Sequence, residues 1–222
     1  MRQWMKALSV ALAASAVLAC GGSESKVVDQ YFSALRQGDD QTLGSFAAKK
    51  FDKKAEKWSI VETVSEPPQP APLVALVKQA RDAEQAFEEN KKAYRAYFLQ
   101  YPLEIDKVQD AIKKGTALPA SLKAHGDKWR EFLDKEKEFK RAVADSKSAL
   151  DKEKRLVQLS VGQAEDIESL TGEMQTKRVA LDITVAGQPE RHEMVLRKYE
   201  LQSATGTKMM SRWIVYDLLP KS

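Results

Sequence analysis

The 222 residues carry 36 Lys and Arg against 32 Asp and Glu, for a net charge of +4, with one Cys and two His. A single thiol excludes an intrachain disulfide. A near-balanced charge argues against a nucleic-acid partner, which needs clustered cations to neutralise phosphates.

The chain opens Met1-Arg2-Gln3-Trp4-Met5-Lys6, runs apolar or small from Ala7 to Ala19, and reaches Cys20. Such a run is too short for the roughly 20 residues that cross a bilayer as a helix, and it suits a secretory leader. Val17-Leu18-Ala19-Cys20 resembles the lipobox of bacterial lipoprotein signal peptides, with Val17 and Leu18 standing where Leu and a small residue are commoner. The resemblance implies that residues 1–19 are removed and that Cys20 is acylated and becomes the mature N-terminus. The chain would then be held by lipid, palmitate among the expected acyl groups, in the bacterial cell envelope. An ordinary cleaved leader with a stray Cys is the alternative. Gly21 occupies the place where Asp retains such proteins at the inner membrane, so the resemblance favours the periplasmic side of the outer membrane. Loss of Arg2 and Lys6 with the leader lowers the net charge from +4 to +2. Residues 20–25 then read as a lipidated tether, small and polar after the Cys.

Val27, Val28, Tyr31, Phe32 and Leu35 recur at helical spacing, and Gly38-Asp39-Asp40 stops that helix. Thr42, Leu43, Phe46 and Ala47 predict a second short helix. Trp58, Ile60, Glu62 and Val64 alternate with Ser59, Val61 and Thr63, which predicts a strand. Pro67, Pro68, Pro70 and Pro72 mark a boundary.

From Leu73 apolar residues step by three and four through Leu76, Ala80, Phe87, Tyr94, Tyr97 and Tyr101, and again from Leu118 through Trp129, Phe132, Phe139 and Leu150 to Val157. Two heptad segments around a Gly115–Pro119 turn predict an antiparallel helical hairpin over 72–161, with arms of roughly 60 Å on the helical rise. Folding about that turn would set Tyr94 against Phe139, Tyr101 against Phe132 and Ile112 against Leu122. Pro102 should kink or break the first arm near Phe98–Tyr101. Asn90, Glu136, Ser146 and Glu153 are weak members of the predicted seam.

After Val161 the period becomes two. Val179, Leu181, Ile183 and Val185 form one strand, Ala186–Pro189 a turn, Met194–Leu201 the return and Trp213–Leu219 a last strand, together an antiparallel meander. With Val28, Tyr31, Phe32, Leu35, Gly38 and Asp39 at the start and Trp213-Ile214-Val215 at the end, segments 26–71 and 162–222 resemble the NTF2-like superfamily. Its fold is a cone-shaped, cystatin-like α+β body. The resemblance covers about half the mature chain and implies that residues 72–161 are an insertion.

Catalytic chemistry is poorly supplied. His125 falls on the predicted hairpin seam and His192 at a strand start, too far apart to cooperate, and both are expected to be structural or exposed. There is no HExxH, no CxxC, no Asp-rich loop and no Gly-rich phosphate loop. Enzymes of the superfamily place acid–base pairs inside the cone. Asp182 and Asp217 are the available carboxylates, and a solvated role suits them as well. We therefore expect no enzyme and no cofactor. The leading expectation is a lipid-anchored protein whose hairpin engages an envelope partner, with Tyr94, Tyr97, Tyr101, Trp129 and Phe132 forming either the hairpin core or a binding patch. The alternative is a small-molecule carrier with a cavity lined by Trp58, Leu181, Trp213 and Tyr216. A periplasmic adaptor like those of efflux pumps shares the hairpin alone.

Overall fold

The computed structural model describes residues 22–221; the leader and Cys20 lie outside them. The described chain is α+β, with five α-helices and a five-stranded antiparallel sheet. In chain order these are α1 (Ser23–Gln37), α2 (Asp40–Phe46), β1 (Ala55–Ser65), β2 (Gln69–Pro70), α3 (Leu73–Gln100), α4 (Pro102–Lys114), α5 (Lys123–Val161), β3 (Thr171–Val185), β4 (Gln188–Gln202) and β5 (Ile214–Pro220). The strands lie in the order β1-β3-β4-β5, and the short β2 pairs with the start of β3 through Gln69 and Pro70. The Pro-rich boundary is thus partly ordered as sheet.

The helix α1 starts earlier than its apolar spacing indicates. Gly22 is its N-cap and Ser23 its first residue, so residues 23–25 of the expected 20–25 tether are helical, and Cys20 and Gly21 lie outside the described residues. Gly38 ends α1 at φ +69°, a left-handed conformation that glycine adopts without Cβ strain. Asp39 then caps α2 by accepting from the Thr42 N–H at 2.9 Å.

Along β1 the predicted alternation holds only to Ile60. A bulge between Ile60 and Glu62 inserts Val61, so Ile60 faces Leu181 while Thr63 faces Val179. Val64, expected inward, is thereby left half exposed, as is Val61. The β3–β4 turn is tighter than expected. Ala186 and Gly187 alone sit at positive φ, the two-residue pattern that suits right-twisted hairpins. Pro189 joins β4 opposite Thr184, where β5 does not reach and no N–H is needed.

Two cores sit on opposite faces of this sheet. Val179, Leu181 and Ile183 of β3 with Met194 and Leu196 of β4 meet Val28, Tyr31 and Phe32 of α1 and Leu43 and Phe46 of α2. Residues of the other parity, Met174, Tyr199 and Leu201, meet Leu73, Val77 and Ala80 of α3 and Leu150, Leu156 and Val157 of α5. The root of the hairpin therefore seals the second face of the sheet.

Pro102 does break the first arm. Tyr101, at φ −132° and ψ 52°, ends α3 and Pro102 opens α4. A proline is tolerated at a helix start because the missing N–H has no intrahelical partner there. The register differs from the expected one by a heptad. Tyr94 packs on Trp129 (5.4 Å between ring centroids) and Phe132 (5.8 Å) instead of Phe139, and Tyr101 on His125 (4.8 Å) instead of Phe132. Counting back from the turn fails because the break stops α4 from continuing the heptad phase. Instead α4 buries Ile105 and Val108, and Ile112, expected against Leu122, is half exposed. Gly126 lets Leu118 and Val108 approach α5 closely.

Candidate interaction surface on the helical hairpin

Antiparallel pairing of α3 and α5 follows from their contacts: Lys147 reaches Glu84, Phe132 reaches Tyr94, and His125 reaches Tyr97. The heptad aromatics build one cluster where the two helices near the break. Tyr97 lies 5.0 Å from Tyr101 and 5.7 Å from Phe132. The rings of these two pairs are tilted at 53° and 48° to each other.

Burial pushes the Tyr97 phenol above its usual pKa, with the nearby Tyr101 adding to the effect, and its hydroxyl is hydrogen-bonded to His125 Nδ1 at 2.7 Å. His125 thus ties the two arms together beside the break. Lys128 stands 5.1 Å over the Phe132 ring and, with Lys135, brackets Glu131. The two ammonium groups lower the Glu131 carboxyl to about 2.

Of the five predicted patch residues, Phe132 is buried and Tyr94, Tyr97, Tyr101 and Trp129 are half-buried. They pack mainly on one another, as a hairpin core does. What remains open is a shallow groove of about 300 Å³ lined by Tyr94, Arg95, Phe98 and Leu99. Leu99 is 78% exposed and Leu103 is 68% exposed, one on either side of the break. Sequence reasoning passed over both leucines because they fall off the heptad seam. Their signal was a pair of leucines flanking Tyr101-Pro102, where the helix had to end.

Of the four residues proposed to line a carrier cavity, three gather at the first core and Tyr216 lies apart from them. Trp58 stacks on Phe32 at 5.1 Å and donates to Asp29 at 2.8 Å, Leu181 is fully buried, and Trp213 packs against the same first core. Tyr216 lies against the second core, its ring under the Arg197 guanidinium at 3.4 Å. Tyr31 and Phe32 are fully buried in the first core. Asp182 pairs with the cross-strand Arg191, and Asp217 accepts from the Leu218 N–H. His192 lies well inside β4, buried edge-on to Phe51 and 3.0 Å from Glu190.

One buried polar group unites sheet and hairpin. Glu153 of α5 lies beside Tyr199 and Arg197 of β4; burial raises its carboxyl pKa against the opposing pull of both neighbours. Burial and the Glu153 charge likewise raise the Tyr199 phenol. Nearby, Ser160 Oγ accepts the Tyr199 N–H at 3.1 Å and donates to the Arg212 carbonyl at 2.8 Å. Arg212 in turn donates to the carbonyls of Leu159 and Ser45. These bonds fasten the end of α5 to β4, to α2 and to the loop before β5. Among the described residues no group of three His, Cys, Asp or Glu is placed to hold a metal, and no helix is long and apolar enough to cross a membrane.

Comparison of the chain with protein families, with curated proteins and with solved structures finds no match.

Proposed function

We propose that this chain is a non-enzymatic lipoprotein of the bacterial envelope, anchored through acylated Cys20 on the periplasmic side of the outer membrane. Its helical hairpin docks a protein partner. In this reading the sheet with α1 and α2 is an NTF2-like body and residues 72–161 are an insertion into it. The observation that carries the proposal is the pair of exposed leucines at the hairpin break, Leu99 and Leu103, with the Tyr94–Phe98 groove beside them. Large apolar side chains gathered next to a groove, away from both sheet cores, are what a docking surface offers.

Deleting the whole hairpin would be a poor test, since its root completes the second core. The double substitution Leu99→Glu with Leu103→Glu changes exposed positions and leaves both cores intact. We expect it to keep the folded circular-dichroism spectrum and to abolish recovery of the partner after in-cell cross-linking of the envelope. Unchanged partner recovery with a folded variant would sink the docking proposal.

A further inference from the structure

We infer that the surface around the start of α1 and the Met210–Trp213 loop lies in the headgroup layer of an anionic lipid membrane. This rests on the proposed acylation of Cys20 and adds which face of the molecule meets the bilayer.

The first support is how little chain is left for a tether. Gly22 caps α1 and Ser23 is its first residue, so Gly21 and Gly22 alone separate Cys20 from the helix. Fully extended, that link spans roughly 10 Å from Cys20 to Ser23. A body held so closely cannot turn an arbitrary face to the lipid; the residues around the start of α1 are brought to the surface.

The second support is what those residues are. A hollow of about 410 Å³ beside the start of α1 is lined by Ser23, Lys26, Val27, Phe46, Arg212 and Trp213. An adjoining groove shares Arg212 and contains Met210. At 91% exposure, Met210 is the most exposed large apolar side chain among the described residues. An isolated exposed Met needs no explanation. Here it stands two residues from a cation and three from an indole, beside the anchor point. Indoles favour the headgroup level, cations favour anionic headgroups, and a protruding apolar side chain can enter the acyl boundary.

Charge agrees. Glu24, the acid in the first turn of α1, is neutralised by Lys177 at 2.8 Å with both side chains largely buried. Among the described residues no carboxylate lies within ion-pair distance of Lys26 or Arg212, and carbonyl bonds hold the Arg212 guanidinium in place. Because the Arg212 N–H also donates to the Ser160 carbonyl, the root of α5 belongs to this same membrane-facing end. The other end of α5 is then roughly 55 Å from the anchor along the helix axis.

The test uses the full chain made with its own leader. Met210→Cys places an environment-sensitive dye at the loop, and Leu103→Cys places the same dye on the hairpin for comparison. Once Cys20 is acylated, each variant has a single reactive thiol. Each protein is put into phosphatidylethanolamine–phosphatidylglycerol vesicles carrying nitroxide-labelled acyl chains, and the mass of the N-terminal peptide is measured. We expect an acylated N-terminus, with quenching at position 210 severalfold stronger than at 103 and weakened by Lys26→Glu. Equal or absent quenching at 210 in acylated protein overturns the inference and leaves the anchor standing. An N-terminal peptide without acyl groups overturns both.

Discussion

Glu153 is the residue whose environment is least comfortable. It was legible as a weak seam position, but the seam did not tell that it would be walled in by Tyr199 and Arg197 of the sheet. Burial of a carboxylate is costly unless it is fully paired, and one of its oxygens has no hydrogen-bond partner. The folded pKa is raised above the unfolded value, so the carboxyl's contribution to folding is present at acid pH and is lost as pH rises through the folded pKa. Glu153→Gln should therefore raise the melting temperature by a few degrees at pH 7 and give little or no gain at pH 4. Thermal unfolding followed by circular dichroism at the two pH values checks this; an equal gain at both would show that ionisation is not the cause.

Among the elements, the hairpin behaves as two parts. Its root shares a core with β3, β4 and β5, whereas its tip is packed by α4, where Ile105 and Val108 are fully buried, and by Leu118 against the start of α5. Ile105→Ala removes buried methyl groups at a site far from the sheet, and such truncations cost about 2–5 kcal/mol. The loss should stay local, because few contacts link the tip to either core. Hydrogen exchange of the α4 amides should accelerate strongly while that of the β3 and β4 amides stays unchanged. Acceleration in the strands as well would mean that tip and root unfold together.

At the scale of the whole molecule, one sheet couples the two cores, and each core holds one fully buried tyrosine. Tyr31 of the first core donates to the Lys49 carbonyl at 2.9 Å, and burial raises its phenol from 10.0 to about 12. Tyr199 of the second core is raised as well. Groups with raised folded pKa values stabilise fully below their unfolded value and lose that contribution as pH passes the folded one. Alkaline titration should thus unfold the protein between pH 10 and about 12. Far-UV circular dichroism should change in a single step, since the sheet cannot lose one face and keep the other. Two separate steps would show that the cores are independent.

Periodicity and chain punctuation carried much of this architecture. Val28, Tyr31 and Phe32 announced α1, Pro102 announced the break, and the alternation at 179–185 announced β3, because helical and extended backbones present side chains at fixed local intervals. What local order could not supply was how elements meet. The heptad register moved by seven residues because the break at Tyr101 redirected α4. Tyr216 went to the opposite core from Trp58 because strand parity and the other layers decide which face is filled. Leu99 and Leu103 stood out only once the seam had claimed the aromatics. Above all, α1 starts at Ser23, ahead of its apolar spacing, because the start of α1 is held by the Glu24–Lys177 pair, a partner 153 residues away along the chain.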